Sequence, residues 1–494
     1  MTADPSLAAL AEATLVPPFP GTTPPGWLLD ALGRGLAGVT LFGPNITDPE
    51  QVAGLTARLR DAAEEPVIAV DEEGGDVTRI AHLTGSPYPG NAALGAVDDT
   101  ALTTEIYRAL GADLAAVGIN VDLAPSADVN SADDNPVIGT RSFGPDTALV
   151  ARHAAAAVRG LQSAGIAACA KHFPGHGSTS ADSHHVIATV DGGLAALRER
   201  DLPPFAAAIA AGVRAVMPGH LRVAGLTGGL PATWSAAAIT GLLRGELGFA
   251  GVVITDALEM RAVADPHGLP EAAVAAVAAG ADLLCLGRDQ DAEMYLAVRD
   301  AIAGAVTGGR LPAERVAEAG GRVAELRSWL ARRRSGAAAV APDDFQAGLA
   351  AARRALRVDG LSQPLADPVV VELRPLRNIA VGSVPWGLGP WSRGSVHRID
   401  TTAGEAEQAA VIADVLTRAA GRPLVVVVRD AHRHAAARAA ATALLAARPD
   451  AVVVEMGLPV WRPASGGYVA TYGAARPNGQ AAAEALGLAA AQPA

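Results

Sequence analysis

Short apolar runs recur through the first two thirds of the chain, each followed by a longer Ala/Leu/Arg stretch of helical pattern. This alternation leaves few folds open. The runs are Thr14-Leu15-Val16, Gly38-Val39-Thr40-Leu41-Phe42, Val67-Ile68-Ala69-Val70, Ile119-Asn120-Val121-Asp122-Leu123, Ile166-Ala167-Ala168-Cys169-Ala170, Ala215-Val216-Met217, Val252-Val253-Ile254 and Leu283-Leu284-Cys285-Leu286. Runs that are mostly apolar, rather than apolar at every second position, suit strands buried on both faces, and strand–helix repetition implies a parallel sheet covered by helices. Eight such units in roughly 300 residues fit a closed (β/α)8 TIM-type barrel better than an open sheet.

The 494 residues exceed what one ordinary core accommodates, so a second domain is expected. The stretch from Arg334 to Asp344 is rich in Ala, Gly and Pro and reads as a connection. The expected division is a barrel over residues 1–335, a linker over 336–350 and a smaller three-layer α/β sandwich over 351–494. Its strand candidates are Pro368–Glu372, Ile379-Ala380-Val381, Leu424–Val428 and Ala451–Val454. It carries no Gly-rich phosphate fingerprint. Trp386, Trp391 and Trp461 read as core tryptophans rather than as the lining of a cleft.

Charge and cysteine usage narrow the partners. The formal net charge is −12 with no long basic run, which argues against a nucleic-acid partner. Arg332-Arg333-Arg334 reads as a solvated helix end. The N-terminal stretch has neither a basic leader nor a long apolar segment. No signal peptide and no membrane span are expected, and the cytoplasm is the expected compartment. Cys169 and Cys285, the only two cysteines, sit in apolar runs and read as small core hydrophobes, with no metal-type spacing. No cofactor is expected.

Polar residues collect at the C-terminal ends of the apolar runs: Asp71, Asp122 and Asp128, Lys171 and His172, His220, and Asp256. In a barrel those ends converge on one face, where active sites lie. Richest is Lys171-His172-Phe173-Pro174-Gly175-His176-Gly177, followed by Asp182-Ser183-His184-His185. Four of the eleven histidines fall between positions 171 and 185.

These segments resemble the signature of family 3 glycoside hydrolases of the β-N-acetylglucosaminidase type. Asp71-Glu72-Glu73-Gly74-Gly75 is similar to the family's substrate-binding Asp motif, Ile138–Phe143 to its Arg-Ser-Phe loop, and Leu247–Met260 to its nucleophile segment. The stretch after residue 350 resembles the sandwich that follows the barrel in two-domain members. One position departs: after the paired glycines many hydrolases of the group have Arg, and here stands Asp76, with Arg79 three residues on.

The resemblance implies a retaining, exo-acting enzyme that removes terminal N-acetylglucosamine from β-glycosides, cell-wall fragments among them. Asp256 would be the nucleophile, forming a covalent glycosyl intermediate. His184, oriented by Asp182, would be the acid/base, since an imidazole titrates near neutral pH and a carboxylate on one ring nitrogen fixes its tautomer. Asp71, Arg141, Lys171, His172 and His176 would bind the sugar. Asp256 also suits the N-cap of a helix opening near Ala257. Gly175 and Gly177 suit a mobile lid that carries the proton donor. His220 and Arg222 read as supporting groups.

Three other readings use the same residues. A neutral His does not repel an anion, so inorganic phosphate is the alternative acceptor and a phosphorylase the alternative enzyme. His172, His176, His184 and Asp256 are also metal-ligand types, which would suit a metal-dependent barrel hydrolase. However, Pro174 and Gly175 break any helical His-x-x-x-His face. A non-catalytic sugar-binding protein would require an inaccessible Asp256.

Overall fold

A computed structural model describes residues 4–182, 186–260, 264, 268–334, 345–376, 380–392, 394 and 396–488. The chain divides into two compact units. The first comprises Met1–Glu73, Thr100–Ile138 and Pro145–Pro342, and the second Gly74–Asp99, Gly139–Gly144 and Asp343–Ala494.

All eight expected strands form in the first unit: β1 (Leu15–Val16), β2 (Gly38–Leu41), β3 (Val67–Val70), β4 (Val121–Asp122), β5 (Ala167–Phe173), β6 (Ala215–Pro218), β7 (Val252–Val253) and β8 (Leu284–Cys285). β2 to β7 pair in parallel, each with the next. A parallel bridge between Ile254 and Leu283 joins β7 to β8, and β8 pairs with β1. Ala37 N donates to Glu12 O and Thr40 N to Pro17 O, which connects β1 to β2 and closes the ring. The first unit is therefore a TIM-type α/β barrel.

Local sequence explains the pieces. Asp48, Asp146 and Asp291 each cap the helix that follows, through backbone N–H groups of its first turn. Gly38 is required at the start of β2, because a Cβ there would lie 1.9 Å from the Val67 carbonyl oxygen. Inside the barrel pack small and branched residues, Val67, Ala69, Val121, Ala167, Cys169, Ala215, Val252 and Ile254 among them.

One end of the barrel is closed by the helix Ala313–Arg334. Val323, Leu326, Trp329 and Leu330 join the barrel core. Arg315 and Arg322 reach Asp282, just before β8, at 2.5 and 3.2 Å. Arg327 Nε donates to the Glu65 carbonyl before β3, and the Arg214 guanidinium before β6 lies 5.0 Å from the Trp329 ring centre. Every one of these partners precedes a strand, so the helix covers the N-terminal ends. The C-terminal ends are left for chemistry. Arg332 and Arg333 are exposed at the helix end, as expected.

The second unit holds a six-stranded sheet. Its strands are β9 (Arg357–Asp359), β10 (Val369–Arg374), β11 (Val396–Asp400), β12 (Leu424–Val428), β13 (Val452–Glu455) and β14 (Gly467–Ala470), in the order β9-β14-β13-β12-β10-β11. All neighbours are parallel except β9 and β14. Val369, Val371, Val426, Val428 and Val453 face one core with the helices Glu405–Arg418 and Ala435–Ala447. Val370, Val425, Val427, Val452 and Val454 face another with Trp391 and the helix Arg476–Leu486. Successive residues of each strand serve opposite faces, which makes three layers.

Some details differ from expectation. Ala380 and Val381 lie in a turn, Ile379 lies outside the described residues, and the additional strands are Arg357–Asp359, Val396–Asp400 and Gly467–Ala470. Residues 345–350, expected as linker, open the helix Phe345–Ala355. Trp391 is buried, whereas Trp386 and Trp461 are partly exposed.

Asp76, the departure noted above, is a buried junction within this unit. Its Oδ2 accepts from the Thr140 hydroxyl at 2.6 Å and pairs with Arg429 at 3.0 Å. Its Oδ1 accepts from Ala474 N at 2.8 Å. An arginine here would face Arg429, so the local charge pattern accounts for the acid. Arg79 donates to the Ala380 carbonyl.

Candidate active site

The open end of the barrel begins with a charged bridge. Asp71 follows β3 directly and is one quarter exposed, whereas Lys171 near the end of β5 is almost wholly buried. Lys171 Nζ lies 2.6 Å from Asp71 Oδ1 and 2.7 Å from Glu73 Oε1. Two carboxylates on one buried ammonium fix all three side chains, and Asp71 keeps a face toward solvent. β5 runs through Phe173, so Lys171 and His172 lie within the strand rather than after it.

Asp128 organises the next group. It is fully buried. Oδ1 accepts from His172 N at 3.2 Å and from His176 N at 2.7 Å. Oδ2 lies 2.7 Å from His172 Nδ1 and accepts from the Ser126 hydroxyl at 3.0 Å. Burial alone would push this carboxyl up, but His172, His176 and the donated N–H groups hold it down at about 2. A carboxylate is an acceptor only, so His172 carries its proton on Nδ1.

His176 is also buried, with Nδ1 2.7 Å from the Thr179 hydroxyl. Asn135 donates to its carbonyl. A Cβ at Gly177 would lie 1.8 Å from the Val129 carbonyl oxygen, and one at Gly175, where φ is +131°, would lie 2.5 Å from Asp201 Cβ. The glycines here permit close approach of backbones.

Asp256 follows the bridge at Ile254 and is partly exposed. Ala257 N donates to its Oδ1 at 2.8 Å. Residues 257–260 form no helix, so Asp256 caps no helix opening at Ala257. The turn is held from several sides. His220 Nε2 donates to the Ala257 carbonyl at 3.0 Å, with Thr233 on its Nδ1. Leu258 N donates to the Cys285 carbonyl. The Glu259 carboxylate accepts from Arg288 N, Asp289 N and Gln290 Nε2. Burial raises the Cys285 thiol to about 12, and Asp71 and Asp256 add to the effect. Both also act on the buried Cys169 thiol. Asp71 after β3 and Asp256 after the bridge at Ile254 both follow C-terminal strand ends of the one barrel.

Of the remaining expected residues, Asp182 is described and partly exposed, and His184 lies outside the described residues. Arg141 belongs to the second unit, where it is buried and its carbonyl accepts from Asn91. Arg222 is exposed and donates to the Gly229 carbonyl. Among the described residues, no group of three or more His, Cys, Asp or Glu side chains is arranged to hold a metal ion. Glu73 and Glu259 were missed, and Asp128, noted at the strand end, was given no role. Glu73 stands inside the Asp71 motif, and an Asp beyond a strand end was the available signal for Asp128.

A barrel whose acidic and basic side chains meet at this end is matched by a known family model. Residues 30–326 match the glycosyl hydrolase family 3 N-terminal domain. The chain belongs to the family 3 glycosyl hydrolases. Beta-hexosaminidase A of Pseudoalteromonas piscicida is 32% identical over 335 residues, which are 63% of this chain and 56% of that protein. Beta-hexosaminidase LpqI of Mycobacterium tuberculosis is 38% identical over 265 residues, 53% of this chain and 67% of that protein. The match therefore spans little more than half of the first relative and two thirds of the second. The family 3 beta-N-acetylglucosaminidase structure from Paenibacillus sp. str. FPU-7 superposes with a TM-score of 0.86 at 33% identity, covering 98% of this chain and 97% of that one. No helix among the described residues is long and apolar enough to cross a membrane.

Proposed function

We propose that this family 3 member is a retaining, exo-acting β-N-acetylglucosaminidase. The observation that carries the reading is the pair of partly exposed carboxylates, Asp71 and Asp256, both at the C-terminal strand ends of one barrel. Likeness along nearly the whole chain to a β-N-acetylglucosaminidase supports it.

Asp71, oriented by Lys171, accepts hydrogen bonds from sugar hydroxyls, and His172 adds a contact directed by Asp128. His176 acts from within the loop, since its ring nitrogen Nδ1 is engaged by Thr179. The Asp256 carboxylate attacks the anomeric carbon as the bond to the leaving oxygen breaks. The acid of the Asp182–His184 pair gives that oxygen its proton. In the second half-reaction the imidazole takes a proton from water, the water oxygen bonds to the anomeric carbon, and Asp256 is released. Cell-wall fragments in the cytoplasm are the proposed substrates.

A slow 2-fluoro glycoside followed by peptide mapping tests the scheme. The label is expected on Asp256, and a label on another carboxylate refutes the assignment. Turnover with and without inorganic phosphate separates the two acceptors: a free sugar at an unaltered rate supports hydrolysis, and a sugar 1-phosphate overturns it.

A further inference from the structure

Beneath the Asp71–Lys171–Glu73 bridge lies a carboxyl group that the scheme above does not use. Asp122 ends β4, level with Val70 at the end of β3. It is fully buried. Its Oδ1 accepts from Glu72 N at 3.0 Å. Its Oδ2 is buried and has no hydrogen-bond partner among the described residues. The groups that face it are Asp71 and Glu72 from the segment after β3, and Cys169 and Lys171 from β5. Lys171 is the sole cation among them, and its ammonium is engaged by Asp71 and Glu73. An ionised carboxylate here would be a buried charge near the already paired ammonium, with one oxygen lacking a donor among the described residues. The cost of such a charge is large enough that a carboxyl group takes up a proton instead.

We propose that Asp122 is a positioning residue that works as a neutral carboxylic acid, its carbonyl oxygen holding the Glu72 amide so that Asp71 and Glu73 grip Lys171 from either side. The proton resides on Oδ2, and the oxygen facing Glu72 acts as the acceptor. Burial drives the group well above the ordinary carboxylate range, and Glu72 and Asp71 push the same way, against the Glu72 amide and Lys171. Two consequences follow. The ammonium charge stays with the residues that meet the sugar, because the acid below does not compete for it. The placement of Asp71 also depends on a side chain that no substrate can touch. This inference rests on the reading that Asp71 binds the sugar.

Two variants test it. In Asp122→Asn the amide keeps the shape and the acceptor, so kcat/KM on an aryl N-acetylglucosaminide is expected within about twofold of the parent. In Asp122→Ala the Glu72 amide loses its acceptor. KM is expected to rise about tenfold or more while kcat changes far less, the signature of lost positioning. A second readout needs no activity. A carboxyl raised on folding gives stability that is full below its unfolded value of 3.8 and is lost as pH rises. Asn does not titrate, so the urea midpoint of Asp122→Asn should gain on the parent as pH is raised from about 5 to about 8. A constant difference across that range shows that Asp122 is ionised and overturns the proposal, as does an Asn variant as impaired as the Ala variant. If the parent shows no glycosidase activity the functional reading fails, and the midpoint comparison still decides the state of Asp122. If Asp122→Ala does not fold, Asp122→Asn alone gives the decision.

Discussion

Removing the Asp128 carboxylate should damage the protein in a way that depends on pH and on what replaces it. Three N–H groups converge on this side chain, His172 N, His176 N and His172 Nδ1, together with the Ser126 hydroxyl. Asp128→Ala leaves all of them buried without their acceptor, which is expected to cost about 3–5 kcal/mol. Asp128→Asn keeps one oxygen for the two backbone groups but presents an NH2 to His172. The ring must then accept at Nδ1 and carry its proton on Nε2. The stability cost of this change is about 1–3 kcal/mol, and the polarity offered to a ligand is reversed. The pH dependence has a definite sign. The carboxyl falls from 3.8 to about 2 on folding. The stabilisation is therefore complete above the unfolded value and is lost as pH falls through about 2, with a size of about 2 kcal/mol. Urea midpoints of the parent and Asp128→Asn should converge as pH is lowered from about 6 to about 3. Nitrogen-15 NMR should show the His172 proton moving from Nδ1 to Nε2 in the variant. An Asp128→Ala protein as stable as the parent at neutral pH would refute the reasoning, and so would a stability gap that ignores acid.

Three further outcomes can be checked directly. Asp256→Ala should lower kcat by about a thousandfold or more with near-native stability, read by steady-state kinetics and thermal melting. Asp76→Arg should destabilise by about 3–5 kcal/mol, because a second cation would face Arg429 in a buried site; adding Arg429→Asp should recover part of the loss. Gly177→Ala should cost at least about 1–3 kcal/mol, since its new methyl would meet the Val129 carbonyl at 1.8 Å, and an unchanged melting temperature would show that the loop is not anchored there.

The barrel was legible because strands buried on both faces need apolar side chains at nearly every position. That requirement produces the short runs from which all eight strands were read. The sandwich was read less completely for the same reason. β9 and β11 are edge strands, and Arg357-Val358-Asp359 and Val396-His397-Arg398-Ile399-Asp400 carry no apolar run to betray them, while the inner β14 opens on Gly467 and is only four residues long. In the site, Asp71 and Lys171 could be read because each stands at or near the end of an apolar run. The hold of Asp128 on His172 and His176 from the neighbouring strand end could not, since it spans 44 and 48 positions. Sequence does not distinguish a glycine that must bend from one that must make room, as Gly177 does beside the Val129 carbonyl. Nothing in composition marks 74–99 or 139–144 as parts of the second unit.

That last feature bears on how the polypeptide reaches its native state. Synthesis proceeds from the N-terminus, so two pieces of the second unit emerge well before the third, which begins at Asp343. Until then Asp76 lacks Arg429 and Ala474, and the Pro87 backbone lacks the helix that later presses Gly348 against it. Neither unit can be finished as a simple stretch of chain. A fragment cut near residue 342 would keep both early pieces while losing the sheet that shelters them, so it should show more exposed apolar surface and a greater tendency to aggregate than its length suggests.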